Sequence, residues 1–231
     1  MYKRILLKLS GEALSGDKGF GLDEATTRKV AQQVKEAAQA GAQIAIVIGG
    51  GNFWRGRSAD GIDRVKADQI GMLGTVMNCL YVSEIFRTEG METAVYTPYA
   101  IGLYTEIFNK DKAVRDLESG KIVFFAGGTG HPFFSTDMGT ALRAAETDCE
   151  IILMAKSIDG VYDSDPAVNP QAKKYDSLSY QDMLAQNLKV IDLPAAAFCM
   201  ENQIPAILFA LQEERSIIRV VQGETLGTLI R

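Results

Sequence analysis

Four glycine-containing turns follow predicted β-strands, and turns of this type can bind phosphate. They are Ser10-Gly11, Gly49-Gly50-Gly51-Asn52, Gly127-Gly128-Thr129-Gly130 and Asp159-Gly160. Glycine lets backbone N–H groups approach an oxyanion, and a helix that follows the turn adds the positive end of its dipole. Any one turn alone is equally consistent with a tight connection between a strand and a helix. Together with Lys8 and Arg55, the turns favour a site that binds several phosphate groups.

The two commonest nucleotide-binding motifs are absent from the sequence. No G-x-x-x-x-G-K-[ST] segment occurs, which excludes a P-loop protein. The two candidate G-x-G-x-x-G segments carry Trp54 and Phe133 in place of the third glycine, which argues against a dinucleotide-dependent dehydrogenase.

The elements that must position these turns alternate along the chain. Predicted strands cover residues 4–9, 43–48, 92–97, 121–126 and 150–154. Predicted helices begin after Asp23 and Asn109, span residues 137–147, and include a long helix with one apolar stripe of Ile70, Leu73, Met77, Tyr81 and Ile85. Buried strands separated by helices predict an α/β fold with a mainly parallel sheet and helices on both faces. The carboxyl ends of parallel strands share one edge, so the glycine turns should meet there.

The last third of the chain has shorter elements. The turns at Asp159-Gly160, 163–166 and Asn169-Pro170 predict loops with a hairpin, Ser179 and Pro194 predict helix starts, and residues 206–209 predict a strand. Residues 219–222 and 225–230 flank Gly223-Glu224, which predicts a terminal hairpin. No linker or repeat interrupts the sequence, so we expect a single domain over residues 1–231.

Composition excludes several classes of protein and of site. The chain has 24 Lys and Arg against 29 Asp and Glu, a net charge of −5, which argues against nucleic acid or an anionic membrane as a partner. Three cysteines without a CxxC pair, and a single histidine, His131, argue against a disulfide framework or a metal cluster, so no metal ligand is assigned. No apolar run reaches the ~20 residues of a membrane span, and we expect a soluble, cytoplasmic protein.

Several motifs together resemble those of the amino acid kinase superfamily. They are Lys8-Leu9-Ser10-Gly11-Glu12, Ile48-Gly49-Gly50-Gly51-Asn52, and Asp159-Gly160-Val161-Tyr162 with Asp165-Pro166. Within that superfamily, residues 2–14, 47–55, 71–78 (GMLGTVMN) and 128–143 (GTGHPFFSTDMGTALR) are similar to the bacterial uridylate kinases, or UMP kinases. The match runs in order over nearly the whole chain. It implies a three-layer α/β/α fold with UMP mainly on the side of residues 1–150 and ATP mainly on the side of residues 151–231.

The resemblance implies transfer of a phosphoryl group from ATP to UMP, with Mg²⁺, in pyrimidine nucleotide biosynthesis. The residues implied in catalysis are Lys8, Arg55, Asp137 and Asp192. Those implied for ATP are Lys8, Leu9, Ser10, Gly11, Gly51, Arg55, Lys156, Tyr162 and Asp165. Those implied for UMP are Gly50, Asp68, Thr129, Gly130, His131, Pro132, Phe133, Phe134, Ser135 and Thr136.

Regulation and assembly follow from the same resemblance. Gly16, Asp17, Lys18, Gly19, Phe20 and Gly21 match a loop tied to activation by GTP, UTP is an expected inhibitor, and a homohexamer is the expected assembly. Without the resemblance, the sequence of this loop indicates only a flexible turn.

For several of these residues the sequence also allows a purely structural role. Asp137 and Asp192 could each serve only as helix N-terminal caps, and Thr136 is predicted to cap the helix that follows it. His131 could be a loop residue that is merely nearby, and Tyr162 could pack within a hairpin. Lys8, Arg55 and Asp68 could be ordinary surface residues.

The proposed chemistry suits a chain with one histidine. The acceptor in UMP phosphorylation is a phosphate oxygen with a pKa near ~6, so it needs no general base at neutral pH. The task is to neutralise charge between two polyanions, which lysine, arginine, Mg²⁺ and backbone N–H groups can do. Two rivals stay open: a related kinase that acts on a carboxylate or carbamate, and a nucleotide sensor without turnover.

Overall fold

The computed structural model describes residues 1–54 and 61–231. The strands are β1 Arg4–Leu9, β2 Gln43–Ile48, β3 Thr93–Thr97, β4 Glu106–Ile107, β5 Ile122–Phe125, β6 Ile151–Lys156, β7 Val161–Tyr162, β8 Lys174–Tyr175, β9 Ser177–Leu178, β10 Ala206–Ala210 and β11 Thr228–Ile230. The helices are α1 Gly11–Leu14, α2 Glu24–Gln39, α3 Arg64–Thr88, α4 Lys110–Glu118, α5 Thr136–Glu146, α6 Tyr180–Ala185, α7 Leu193–Glu201 and α8 Ser216–Val221.

In the described ranges, nine strands form one sheet in the order β4-β3-β5-β2-β1-β6-β10-β11-β9. The pairings from β4 to β10 are parallel, while β10 and β11 pair antiparallel. The small strands β7 and β8 form a separate antiparallel hairpin. The mainly parallel sheet confirms the predicted α/β class, and β1 lies near its centre between β2 and β6.

Two apolar layers cover the two faces of the sheet. Ile5, Leu7 and Leu9 of β1 pack with α2, α3 and α8 on one face, while Leu6 packs with α4, α5 and α7 on the other. Because side chains alternate along a strand, Lys8 points to the same face as Leu6. The three-layer arrangement therefore directs one lysine of the central strand toward the helices of the second face.

Several helix ends could be predicted because capping is local. Asp23, Asn109 and Ser179 each accept a hydrogen bond from the backbone N–H three residues later, as N-caps do. Gly41 and Gly120 follow helix C-termini with positive φ angles of 100° and 87°.

The strand predicted at residues 219–222 is wrong, because this segment lies in α8 and its C-cap. Its β-branched residues favour a strand locally, but burial against α2 decides the outcome, and the Ile217 N–H donates to Gln33 Oε1 at 3.0 Å. The C-terminal antiparallel hairpin is nevertheless present, formed by β10 and β11 with α8 between them.

Helix α3 is apolar on two sides. Its inner side, with Val76, Cys79, Val82 and Phe86, is buried in the first layer. Of the predicted stripe, Ile85 is buried, but Ile70, Leu73, Met77 and Tyr81 are 37–50% exposed. This exposed stripe, called the α3 stripe below, lies along one outer face of the helix because its residues are spaced three and four apart.

None of the helices in residues 1–54 and 61–231 has the length and hydropathy needed to cross a membrane.

Candidate active site

Three glycine turns meet at the carboxyl edge of the sheet, as the parallel strands require. Gly11 follows β1, Gly50 follows β2 and Gly128 follows β5, and these three strands are neighbours in the sheet around β2. A side chain at Gly11 would place a Cβ 2.4 Å from the Gly49 carbonyl oxygen, so only glycine fits where the first two turns touch.

Gly50 brings helix α3 over this edge. A Cβ at Gly50 would lie 2.7 Å from the Gly71 carbonyl oxygen, within the backbone of α3. Thr75, one turn later in α3, accepts a hydrogen bond from the Gly127 N–H at 2.8 Å and joins the helix to the turn after β5. The space between α3 and the turns is therefore fixed by the close approach of the two backbones at Gly50 and by the Thr75 hydrogen bond.

Lys8 and Asp137 form an ion pair at the centre of the edge. Lys8 Nζ lies 3.1 Å from Asp137 Oδ1, and the side chains are only 11% and 16% exposed. This burial excludes the alternative that Lys8 is an ordinary, solvated surface lysine. Burial would raise the pKa of Asp137, but the charges of Lys8 and Lys156 outweigh that effect and hold the pKa below its ordinary value. Asp137 is thus ionised at neutral pH.

A second lysine lies on the same face of the sheet. Lys156 is two residues beyond Met154, which pairs with Lys8 across β1 and β6. Its Nζ donates to the Val190 carbonyl oxygen. Burial lowers the pKa of Lys156, the charge of Asp137 opposes that effect, and Lys8 lowers the pKa further. Two lysines therefore share the charge of Asp137.

The carboxylate of Asp192 lies close to this group and caps α7. Its Oδ1 accepts from the Ala195 N–H at 2.8 Å, and its Oδ2 accepts from the Ser135 hydroxyl. Asp192 interacts electrostatically with Lys156 as well. The capping alternative is therefore correct for Asp192, but the capping carboxylate also interacts with Lys156.

The cap of α5 differs from the prediction by one residue. Ser135, not Thr136, is the N-cap, and its Oγ accepts from the Met138 N–H at 3.1 Å. Both residues can cap a helix, and local sequence does not distinguish them. Thr136 and Asp137 therefore lie in the first helical turn, so Asp137 is not a cap and its carboxylate is directed at Lys8.

A cleft opens between α3 and the turns after β2 and β5. Its lining is formed by Gly50, Gly51, Trp54, Arg64, Asp68, Gly71, Met72, Thr75, Gly128, Thr129, Phe134, Ser135 and Thr136. We call it the α3 cleft. Of the residues implied for UMP, Gly50, Asp68, Thr129, Phe134, Ser135 and Thr136 line it, while Gly130, His131, Pro132 and Phe133 belong to the same loop outside the lining.

Asp68 ties that loop to α3. Its Oδ2 accepts from Arg64 Nε at 2.9 Å and from the Phe133 N–H at 2.8 Å, and its side chain is 13% exposed. Phe133 has a positive φ of 71°, which is strained for a bulky residue, and its ring lies 5.5 Å from the Arg64 guanidinium carbon. A surface role for Asp68 is excluded. His131 is exposed, and its N–H donates to Thr129 Oγ1 at 3.2 Å.

Arg64 is a cation that the sequence interpretation missed. Arg64 precedes Asp68 by four residues on a helix, and this spacing indicates an ion pair between them. Arg55, which was predicted to bind phosphate, lies outside the described residues. Trp54, just before it, lines the cleft and donates from Nε1 to the Ala67 carbonyl oxygen at 2.9 Å.

A second pocket of about 340 Å³ lies on the other side of the α5 N-terminus. Its lining is formed by Asp137, Lys156, Met183, Leu184, Asn187, Leu188, Lys189, Val190, Ile191, Asp192 and Leu193. We call it the α7 pocket. Thr136 lines the α3 cleft and Asp137 lines the α7 pocket, so both spaces adjoin the first turn of α5, where Asp137 contacts Lys8.

Other residues implied for ATP lie away from the α7 pocket lining. Tyr162 donates to Asp159 Oδ1 at 2.8 Å within the β7–β8 hairpin, and that bond raises the pKa of the phenol. Asp165 Oδ1 accepts from the Ala167 N–H at 2.9 Å in the turn of the hairpin. Leu9 is buried in the core, while Ser10 precedes α1 and Gly51 lies beside Glu12.

The predicted regulatory loop is attached to the turn after β2. Residues Gly16–Lys18 form a 3₁₀ turn, and Phe20 packs edge-on against Phe53 with 5.5 Å between ring centroids. Asn52 exchanges backbone and side-chain hydrogen bonds with Gly21, and its amide pairs with that of buried Asn78. The loop therefore contacts the segment that supplies Gly50 and Gly51.

Comparison with known proteins places the chain among kinases. A family model described as the amino acid kinase family matches residues 3–210. The structure is similar to a UMP kinase from Bacillus anthracis at 39% identity, with a TM-score of 0.96 and coverage of 100% of this chain and 96% of that one. A UMP kinase from Ureaplasma parvum matches at 34% identity, a TM-score of 0.93 and coverage of 100% and 99%. A uridylate kinase from Archaeoglobus fulgidus matches at 26% identity, a TM-score of 0.76 and full coverage of both chains.

Proposed function

The chain belongs to the amino acid kinase family, and on that premise we propose that it transfers the γ-phosphoryl group of ATP to UMP, forming UDP and ADP. One observation carries the proposal most directly: the α3 cleft and the α7 pocket both adjoin the first turn of α5, which holds Asp137 of the buried Lys8–Asp137 pair. Two substrates bound in these spaces would face each other across the lysine.

UMP binds in the α3 cleft in this proposal, and ATP binds on the side of the α7 pocket. The division agrees with residues 1–150 forming most of the UMP side and residues 151–231 most of the ATP side of one domain. Asp68 contacts the ribose, the loop from Thr129 to Thr136 surrounds the nucleotide, and the α5 N-terminus faces the phosphate. Arg64 adds a positive charge that compensates part of the charge of UMP.

Lys8 acts on the group being transferred. Phosphoryl transfer spreads charge over the oxygens between donor and acceptor, and a pre-positioned cation stabilises that charge. Asp137 fixes the lysine by the 3.1 Å contact and keeps it from pairing fully with a bound phosphate in the ground state. Because UMP supplies its own ionised nucleophile, no side chain has to remove a proton. Lys156 supplies a second positive charge toward the donor.

Asp137 and Asp192 are the residues that would hold Mg²⁺. Both are carboxylates on the α7 pocket, which matches the oxygen ligands that Mg²⁺ prefers. No group of three or more potential metal ligands occurs in residues 1–54 and 61–231, and this suits an ion bound mainly through one or two carboxylates and ATP phosphates. The bound ion would neutralise charge on the phosphates of ATP.

The substrate is tested by ADP release from Mg-ATP with a panel of acceptors. The panel comprises UMP, CMP, AMP, glutamate, aspartate and carbamate. We expect ADP release with UMP well above every other acceptor. Preference for a carboxylate or carbamate would assign the chain to another branch of the family, and binding of nucleotides without ADP release would indicate a sensor.

Asp68 should make the enzyme prefer ribose over deoxyribose. A carboxylate paired with both ribose hydroxyls loses one charge-assisted hydrogen bond with dUMP, worth ~1.5–3 kcal/mol. We expect kcat/KM for UMP to exceed that for dUMP by at least about tenfold, since 1.4 kcal/mol corresponds to a factor of ten. The ratio should shrink in Asp68→Ala and persist in Asp111→Ala, which changes an exposed aspartate of α4. Equal use of both sugars by the intact enzyme would remove Asp68 from the sugar site.

The chain forms a homo-oligomer in this proposal, with a hexamer as the assembly that the resemblance implies. The α3 stripe supports it, because four large apolar side chains exposed along one helix face are a usual feature of an interface with a second copy. We expect light scattering to give a species larger than a dimer, and Leu73→Asp with Met77→Asp to reduce its mass. Val168→Asp changes an isolated exposed valine and should leave the mass unchanged. A monomer at micromolar concentration would contradict the proposal.

Regulation by GTP as an activator and UTP as an inhibitor is part of the same proposal. The loop of residues 16–21 is the candidate for transmitting the GTP signal, and its contacts with Asn52 and Phe53 lead to the turn that supplies Gly50 and Gly51 to the α3 cleft. The reaction belongs to pyrimidine nucleotide biosynthesis, and the cytoplasm is the proposed location.

A further inference from the structure

Ser135 is the residue that lies between the two substrate spaces. It lines the α3 cleft and caps α5, accepting the Met138 N–H at 3.1 Å. The same hydroxyl donates a hydrogen bond to Asp192 Oδ2, and Asp192 lines the α7 pocket. One side chain therefore contacts the N-terminal ends of two helices that face different pockets.

Further hydrogen bonds hold the segments on either side of the contact between Ser135 and Asp192. On one side, Ser135 ends the loop that Asp68 holds by the Phe133 N–H at 2.8 Å. On the other, Asp192 caps α7 through its second oxygen, which accepts the Ala195 N–H at 2.8 Å. Helices α5 and α7 also pack directly against each other. The Ser135 hydroxyl is therefore the hydrogen-bonded link between the loop and the Asp192 carboxylate.

We propose that Ser135 is a positioning residue that couples the two substrate sites, so that UMP in the α3 cleft tightens the binding of Mg-ATP in the α7 pocket. UMP orders the loop, the loop fixes the Ser135 hydroxyl, and the hydroxyl holds Asp192 in the orientation that the Mg-ATP complex requires. By linkage, Mg-ATP tightens UMP by the same factor. The inference rests on the proposed function, since it assigns UMP and ATP to these two spaces.

A purely structural role for Ser135 makes a different prediction, and the chain offers a matched control. Ser179 caps α6 in the same way, accepting the Asp182 N–H at 2.9 Å and donating to Asp182 Oδ2 at 2.6 Å. That carboxylate belongs to its own helix, so Ser179 joins no second element by this bond. If Ser135 only stabilises a helix end, both serines should respond alike to replacement by alanine.

The test is calorimetric titration of a non-hydrolysable ATP analogue with Mg²⁺, in the absence and presence of saturating UMP. Couplings between sites are typically about 5- to 150-fold, so we expect UMP to tighten the analogue at least about fivefold in the intact protein. In Ser135→Ala the factor should fall below about twofold, whereas Ser135→Thr, which keeps the hydroxyl, should retain it. Ser179→Ala should keep the full coupling. The reverse titration of UMP, with and without the analogue, should give the same factors.

Three outcomes would overturn the inference. They are an intact protein without coupling, a Ser135→Ala variant that keeps the full factor, and a Ser179→Ala variant that loses it to the same extent. Thermal melts should give similar, modest shifts for the two alanine variants, which separates capping from coupling. An intact protein that does not bind UMP would contradict the proposed function itself, whereas UMP binding with unchanged coupling in Ser135→Ala would overturn only the role of Ser135.

Discussion

We expect Lys8→Met to lower kcat at least about a hundredfold and to leave KM for UMP within a few-fold of the original value. The lysine acts on charge that grows between donor and acceptor, so its loss affects the transition state more than the bound substrates. Removing one well-placed electrostatic contact of this kind typically costs ~10²–10³ in kcat. Methionine keeps most of the stem of the side chain and its packing while removing the charge.

Steady-state kinetics with UMP as the varied substrate measure this effect, and three further observations sharpen it. Lys8→Arg should recover little activity, because a planar guanidinium does not fit a position built for an ammonium group. Lys29→Met, at an exposed position on α2, should keep normal kinetics. Breaking a buried ion pair usually costs about 3–5 kcal/mol. The free energy of unfolding of Lys8→Met should fall by less than this, because Lys156 still compensates the charge of Asp137. A folded Lys8→Met protein with more than about a third of the original kcat would reject the mechanism.

Asp137→Asn should have an effect on kcat of similar size and a larger effect on stability. The change leaves Lys8 and Lys156 as two buried ammonium groups without the carboxylate that lies between them. Breaking a buried pair in this way costs about 3–5 kcal/mol. We therefore expect Asp137→Asn to be less stable than Lys8→Met, with kcat at least about a hundredfold lower than in the intact protein.

The double variant Lys8→Met with Asp137→Asn provides the control for this prediction. Residues that act as one unit give non-additive losses, so its kcat should be close to that of either single variant. Urea unfolding and kcat, measured on the same preparations of the single and double variants, test whether Lys8 and Asp137 act as one unit. Losses that multiply in the double variant, or an Asp137→Asn protein as stable as the intact one, would show that the pair does not act as a unit.

The sheet, and the edge at which the glycine turns meet, could be predicted from the sequence because both depend on local patterns. Strand burial and helix caps such as Asp23 and Asn109 are local, and parallel strands then bring the glycine turns to one edge. The prediction was wrong at residues 219–222, where packing against α2 outweighs the strand preference of Val220 and Val221. It also placed the α5 cap on Thr136 instead of Ser135, since both residue types serve equally well.

Contacts between distant segments could not be predicted from the residues alone. The bond from Ser135 to Asp192 joins residues 57 positions apart, and the bond from the Phe133 N–H to Asp68 spans 65. The resemblance to the uridylate kinases placed Asp68, Ser135 and Asp192 in one site, but it did not indicate which atoms meet. Likewise, the apolar stripe predicted helix α3 but not that most of the stripe is exposed. The other side of the helix packs on the core, and only the structure shows this.

The central claim is that the chain moves a phosphoryl group from ATP to the phosphate of UMP. The most direct test is phosphorus NMR of the intact protein with Mg-ATP and UMP, followed over time, with Lys8→Met as the matched control. We expect the γ-phosphate signal of ATP to disappear as the signals of UDP and ADP grow in equal amounts, with little inorganic phosphate and a far slower change in the variant. Consumption of ATP that yields inorganic phosphate with UMP unchanged, or no consumption at all, would contradict it.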